Sequence, residues 1–180
     1  MNLPNSLTLL RILFIPVLVV VLLIQFSGKE LTAFIIFLIA VITDSLDGVL
    51  ARRRKQITVL GQLLDPIADK LLIVSVFICL VELGAVPAWM AVVIIGREIA
   101  VTGFRAIASS KGINIPASRM GKNKMLLETI TICSLILGER YLGKFNIISL
   151  IGLWLVMATS VISAAEYYIK FGSRVLSKHL

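Results

Sequence analysis

The recurrence of long apolar runs restricts this chain more than any other feature. Six windows, at about 6–26, 31–50, 65–83, 87–109, 121–137 and 145–169, each approach the roughly 20 residues that carry a helix across a hydrocarbon core. With 180 residues in all, little chain is left between them. At 58% hydrophobic residues and a mean hydropathy of +1.00, the sequence is far more apolar than a soluble domain of its size. It predicts an all-α integral membrane protein with six transmembrane helices, organised as a single domain over 1–180. The first window has an early base, Arg11, followed by ILFIPVLVVVLLI, as a secretory signal would. No small-residue cleavage site follows, so the window is read as a retained helix.

The formal net charge is +8, and its placement carries information. Arg52, Arg53, Arg54, Lys55 and Lys70 flank the connection after the second window, and Arg105, Lys111, Arg119, Lys122 and Lys124 the one after the fourth. The tail adds Lys170, Arg174 and Lys178, whereas the opposite side has Lys29, Arg140 and Lys144. An excess of Lys and Arg marks the cytoplasmic side. Both termini and these two connections are therefore expected in the cytoplasm, with the chain a multi-pass protein of a bacterial inner membrane. Such bases suit anionic headgroups and phosphorylated substrates. They hug helix ends with no soluble domain to present them, so nucleic acid is not an expected partner. Cys79 and Cys133 lie inside apolar windows without C-x-x-C spacing and read as packing residues. The one histidine, His179, is next to the C-terminus, so neither a His/Cys metal site nor a His-based triad can be assembled.

Against this background the stretch DSLDGVLARRRKQITVLGQLLDPIADK, residues 44–70, is unexpected, because it sets four aspartates in or beside apolar windows. Asp44 and Asp47 are three residues apart near the end of the second window, and Asp65 and Asp69 are four apart at the start of the third. At about 100° per residue each pair shares a helix face. A short connection lets the two faces meet. A carboxylate costs about 2.5–3.5 kcal/mol at a bilayer centre and less near its edge, so four together call for a compensating charge. Hard divalent cations supply it, since oxygen ligands suit Mg²⁺, Mn²⁺ or Ca²⁺. Gly48, Ala51 and Gly61 each lie one turn from an aspartate, leaving room for a ligand, although small residues also serve helix packing.

The pattern D-x-x-D-G-x-x-A-R at residues 44–52, then eight residues, then G-x-x-x-D-x-x-x-D at 61–69, resembles the signature of the CDP-alcohol phosphotransferases. That resemblance implies a six-helix membrane enzyme, usually a homodimer, which transfers a phosphatidyl group from a CDP-linked lipid to an alcohol and releases CMP. It implies two divalent cations, Mg²⁺ or Mn²⁺, held by Asp44, Asp47, Asp65 and Asp69, with Asp69 also taking the proton from the acceptor hydroxyl. Two cations about 3.5–4 Å apart suit a phosphoryl transfer, because both the attacking and the leaving oxygen carry charge. Gly48, Arg52 and Gly61 resemble the positions that admit CDP-diacylglycerol.

The acceptor must be read elsewhere. Arg97 and Arg105 in GREIAVTGFRAIASSKG, with Lys122 and Lys124 in RMGKNK, place more cationic donors on the cytoplasmic side than a neutral alcohol requires. RE-x-x-VT-x-x-R, GK-x-K and the opening NLPNSLTLLRI resemble the phosphatidylglycerophosphate synthases within the family, although Met125 stands where those have threonine. The acceptor implied is sn-glycerol 3-phosphate. Arg97 is also placed to pair with Glu98 or an aspartate. Other family acceptors (inositol phosphate, serine, phosphatidylglycerol) remain as alternatives. So does a cation transporter, although transporters place such carboxylates near the midplane on broken helices.

Overall fold

Glycine-bearing turns join several of the helices in the computed structural model. It describes residues 3–54, 59–110, 112 and 119–176, with side-chain environments for 10–43, 67–110, 112 and 124–171. The helices are α1 (Leu3–Leu23), α2 (Lys29–Arg54), α3 (Val59–Glu82), α4 (Ala88–Ser110), α5 (Arg119–Leu142) and α6 (Ile147–Leu176), with a 3-10 turn, Gly143–Asn146, between the last two. The end of α3 shows how the sequence stops a helix. Gly84 takes φ +71°, the Ala85 amide reaches back to the Leu80 carbonyl (2.9 Å), and the Gly84 amide to that of Val81 (3.0 Å). This paired closure satisfies carbonyls that the helix leaves open, and only glycine enters the left-handed region without strain. Pro87 then opens α4, its carbonyl accepting from Met90 and Ala91.

The packing pairs close into a ring. α1 lies against α2 and α3, α2 against α5, α5 against α6, α6 against α4 and α4 against α3, while α3 also touches α5 across the middle. Phe37, Phe77, Leu80, Met90, Ile94, Ile132, Leu153 and Val156 are buried inside. Close approach depends on small residues, as between helices in lipid. Ala33, Ala40 and Ala68 are fully buried, and a Cβ on Gly152 of α6 would stand 2.6 Å from Thr131 Oγ1 of α5. The outside is apolar too, with Leu13, Val92, Ile99, Ile130 and Ile169 all exposed. An apolar exterior of this extent suits lipid rather than water. The protein is membrane-associated and largely helical.

The expectation of six transmembrane helices is corrected. Among the described residues one stretch, Lys124–Phe171, is long and apolar enough to cross a membrane, and Leu10–Leu23 is a shorter apolar helix. On α4 the reason is charge, since Arg97, Glu98 and Arg105 all fall within its length. The all-α class stands. The apolar stretch itself is folded, because Gly138 (φ 56°, ψ −164°) breaks the helix and the 3-10 turn follows, so α5 and α6 pack against each other.

Candidate active site

Glu98 of α4 stands in register with the buried stripe Met90, Ala91, Ile94, Val101, Phe104 and Ala108, where an apolar side chain would be expected. It is buried, and its carboxylate collects three cations from three helices. Oε1 accepts from Lys124 of α5 and from Arg97 Nη1 of α4 (2.5 Å), and Oε2 lies 2.9 Å from Lys70 Nζ of α3. Each of those cations has a second partner. Lys70 also reaches Asp69 Oδ2 at 3.2 Å, Lys124 lies 3.6 Å from Glu128 Oε2 one turn along α5, and Arg97 Nη2 donates to Ser163 Oγ of α6 at 2.6 Å. Ser163 Oγ donates onward to the Ser160 carbonyl (3.1 Å). Three acids, Asp69, Glu98 and Glu128, thus face three bases, Lys70, Arg97 and Lys124. Buried ions are tolerated when paired and hydrogen-bonded in this way.

The network brings together three of the residues singled out from sequence: Asp69, Arg97 and Lys124. Arg97 and Lys124 turn inward toward Glu98, Lys124 being only 4% exposed. Arg105 lies two turns further along α4 and is exposed. Asp44, Asp47, Gly48 and Arg52 fall on α2, Gly61 and Asp65 on α3 and Lys122 on α5, but their side chains lie outside the described residues. Among the described residues no group of three or more His, Cys, Asp or Glu could hold a metal ion, and Asp69 is the one motif aspartate whose side chain is described. Sequence reasoning missed Lys70, Glu128 and Ser163, and it treated Glu98 only as a partner for Arg97. A glutamate in an apolar stripe was the available signal. Arg11 is a further surprise, 2% exposed on the helix that packs against both α2 and α3.

The sequence profile of the CDP-alcohol phosphatidyltransferase family matches residues 1–164. The chain belongs to that family. Its members are transferases of lipid biosynthesis, and the cation-transporter reading gives way to an enzyme. The chain is 37% identical to the CDP-diacylglycerol–glycerol-3-phosphate 3-phosphatidyltransferase of Bacillus subtilis, over 94% of each sequence. It is 36% identical to the protein of the same name from Rickettsia felis, over 93% of each. A third relative, a probable phosphatidylglycerophosphate synthase of Mycobacterium tuberculosis, is 37% identical over 92% of this chain and 79% of its own length. Within the family, the aspartates of α2 and α3 and the charged network of α3 to α6 belong to the part of the chain that the profile covers.

Proposed function

We propose that this phosphatidyltransferase moves the phosphatidyl group of CDP-diacylglycerol to sn-glycerol 3-phosphate, giving phosphatidylglycerophosphate and CMP. The observation that carries the reading is similarity along nearly the whole chain to relatives named for that reaction. The acceptor hydroxyl attacks the lipid-bearing phosphorus, a new O–P bond forms, and the P–O bond to CMP breaks. Asp69, partly exposed at the edge of the network, takes the hydroxyl proton.

Two divalent cations, Mg²⁺ or Mn²⁺, fit the donor set. Asp44 and Asp47 are one turn apart on helical backbone of α2, and Asp65 and Asp69 one turn apart on α3, so four hard oxygen donors come from two helices. Asp44, Asp47, Asp65 and Asp69 would hold them. Bound there, the cations would neutralise charge on the diphosphate and on the departing CMP. Gly48, Arg52 and Gly61 admit and grip CDP-diacylglycerol. Arg105 and Lys122 bind the acceptor phosphate, while Arg97 and Lys124 add positive charge from within the helix ring. The bases at this end of the helices support a site on the cytoplasmic side of a bacterial inner membrane, and the proposal includes a homodimer.

The decisive test is CMP release from CDP-diacylglycerol by purified enzyme with Mg²⁺ and one alcohol at a time. Glycerol 3-phosphate should support turnover, while glycerol, serine, inositol phosphate and phosphatidylglycerol should not. If glycerol or serine serves equally well, the acceptor assignment is wrong.

A further inference from the structure

We infer that Glu98 is a positioning residue for phosphatidyl transfer, acting on Asp69 through Lys70. The inference rests on the reading of Asp69 as the proton acceptor. Neighbouring residues on a helix diverge by about 100° and do not normally face each other. Lys70 nevertheless brings its ammonium to within 3.2 Å of Asp69 Oδ2. Glu98 explains this. Its Oε2 lies 2.9 Å from the same ammonium, nearer than the aspartate, and it comes from the helix packed against α3. Lys70 therefore sits between two carboxylates, Glu98 buried on α4 and the partly exposed Asp69.

Glu98 is itself held against α5 by Lys124, and Arg97 beside it is tied to Ser163 of α6. The acid at the end of this chain is thus referenced to three other helices, α4, α5 and α6, as well as to its own. Ion-pair hydrogen bonds are directional and strong enough to fix a rotamer, and a catalytic group displaced by about 1 Å can cost on the order of 10²-fold in rate. Lys70 is only partly buried, at 32% side-chain exposure, so it can be changed without opening a cavity.

The test compares Lys70→Met, Lys70→Arg, Glu98→Gln, the Lys70→Met/Glu98→Gln double variant and Asp69→Asn, each measured as CMP release per folded enzyme with CDP-diacylglycerol, Mg²⁺ and glycerol 3-phosphate. Lys70→Met and Glu98→Gln should each lower kcat by about 10- to 100-fold with the KM for CDP-diacylglycerol little changed. Lys70→Arg, which keeps a donor for both carboxylates, should restore most of the rate. The double variant should be no slower than the slower single variant, because both changes cut one connection. A purely structural role would lower folded yield and leave kcat alone. Unchanged kcat in Lys70→Met, or losses that multiply in the double variant, would overturn the inference, and Lys70→Met decides the matter if Glu98→Gln does not fold. Should Asp69→Asn keep full kcat, the reading of Asp69 falls and takes this inference with it. If Asp69→Asn is slow but Lys70→Met is not, only the inference falls.

Discussion

The same helices are joined in two different ways along their length. Around Phe37, Phe77, Leu80 and Ile132 the contacts are steric and shared among many side chains, each atom pair contributing about 0.1–0.2 kcal/mol. Around Glu98 the joint is three cations on one carboxylate. The first kind of joint responds gradually to substitution. In the second, removing one partner leaves buried charge less fully compensated, so its members depend on each other. That dependent joint is also the one that touches the family's aspartate motif, through Asp69.

If the charged end exists for chemistry and the apolar end for cohesion, substitutions should separate activity from stability. The largest effect is expected at the aspartates. Asp44→Asn, Asp47→Asn and Asp65→Asn should each bring turnover close to background without loss of folded protein, and chelation should do the same reversibly, with Mg²⁺ or Mn²⁺ restoring it. Asp69→Asn should slow the chemical step by at least ~10²-fold while CDP-diacylglycerol still binds. Thermal unfolding of these variants near the parent temperature is the check; unfolding instead of inactivity would erase the distinction between the two ends.

A smaller, more selective effect is expected at Arg105. Arg105→Lys keeps the charge but loses the planar fork that grips two phosphate oxygens. The KM for glycerol 3-phosphate should rise by roughly 10-fold or more, and that for CDP-diacylglycerol should hold. Arg52→Lys should do the reverse. Steady-state kinetics with each substrate varied in turn would read both.

The apolar end should show the opposite pattern. Gly152→Ala places a Cβ against Thr131 Oγ1 and should destabilise the protein by about 1–3 kcal/mol, with activity per folded molecule preserved. Adding Thr131→Ala removes the clashing atoms and should recover part of the loss, as a thermal-melt double-mutant cycle would reveal. The smallest effect is expected at the exposed pair Arg140–Glu30, 3.4 Å apart. Arg140→Gln should change stability by less than about 1 kcal/mol.

The all-helical class and the family were readable from the chain, because apolar runs and fixed aspartate spacings are local properties. The charged network was not. Lys70 and Glu98 are 28 positions apart in sequence, and nothing along the chain announces that α3 and α4 turn these two residues toward one another. Lys124 looked like a topology signal or a phosphate ligand, since a lysine near a helix start has no local mark of burial. The fourth window was taken for a span for a related reason. Average hydropathy forgives a few charges, whereas the inward-turned Arg97 and Glu98 divide α4.

Gly138 also settles a question of length. A straight helix rises about 1.5 Å per residue, so the 48 residues of Lys124–Phe171 would reach roughly 72 Å, more than twice the ~30 Å of hydrocarbon in a bilayer. No single rod of that size could keep both ends comfortable. Left-handed backbone at Gly138 and again at Gly143 turns the rod back on itself before it overshoots. Composition makes this stretch greasy throughout, but two glycines divide it into α5 and α6, which lie against each other.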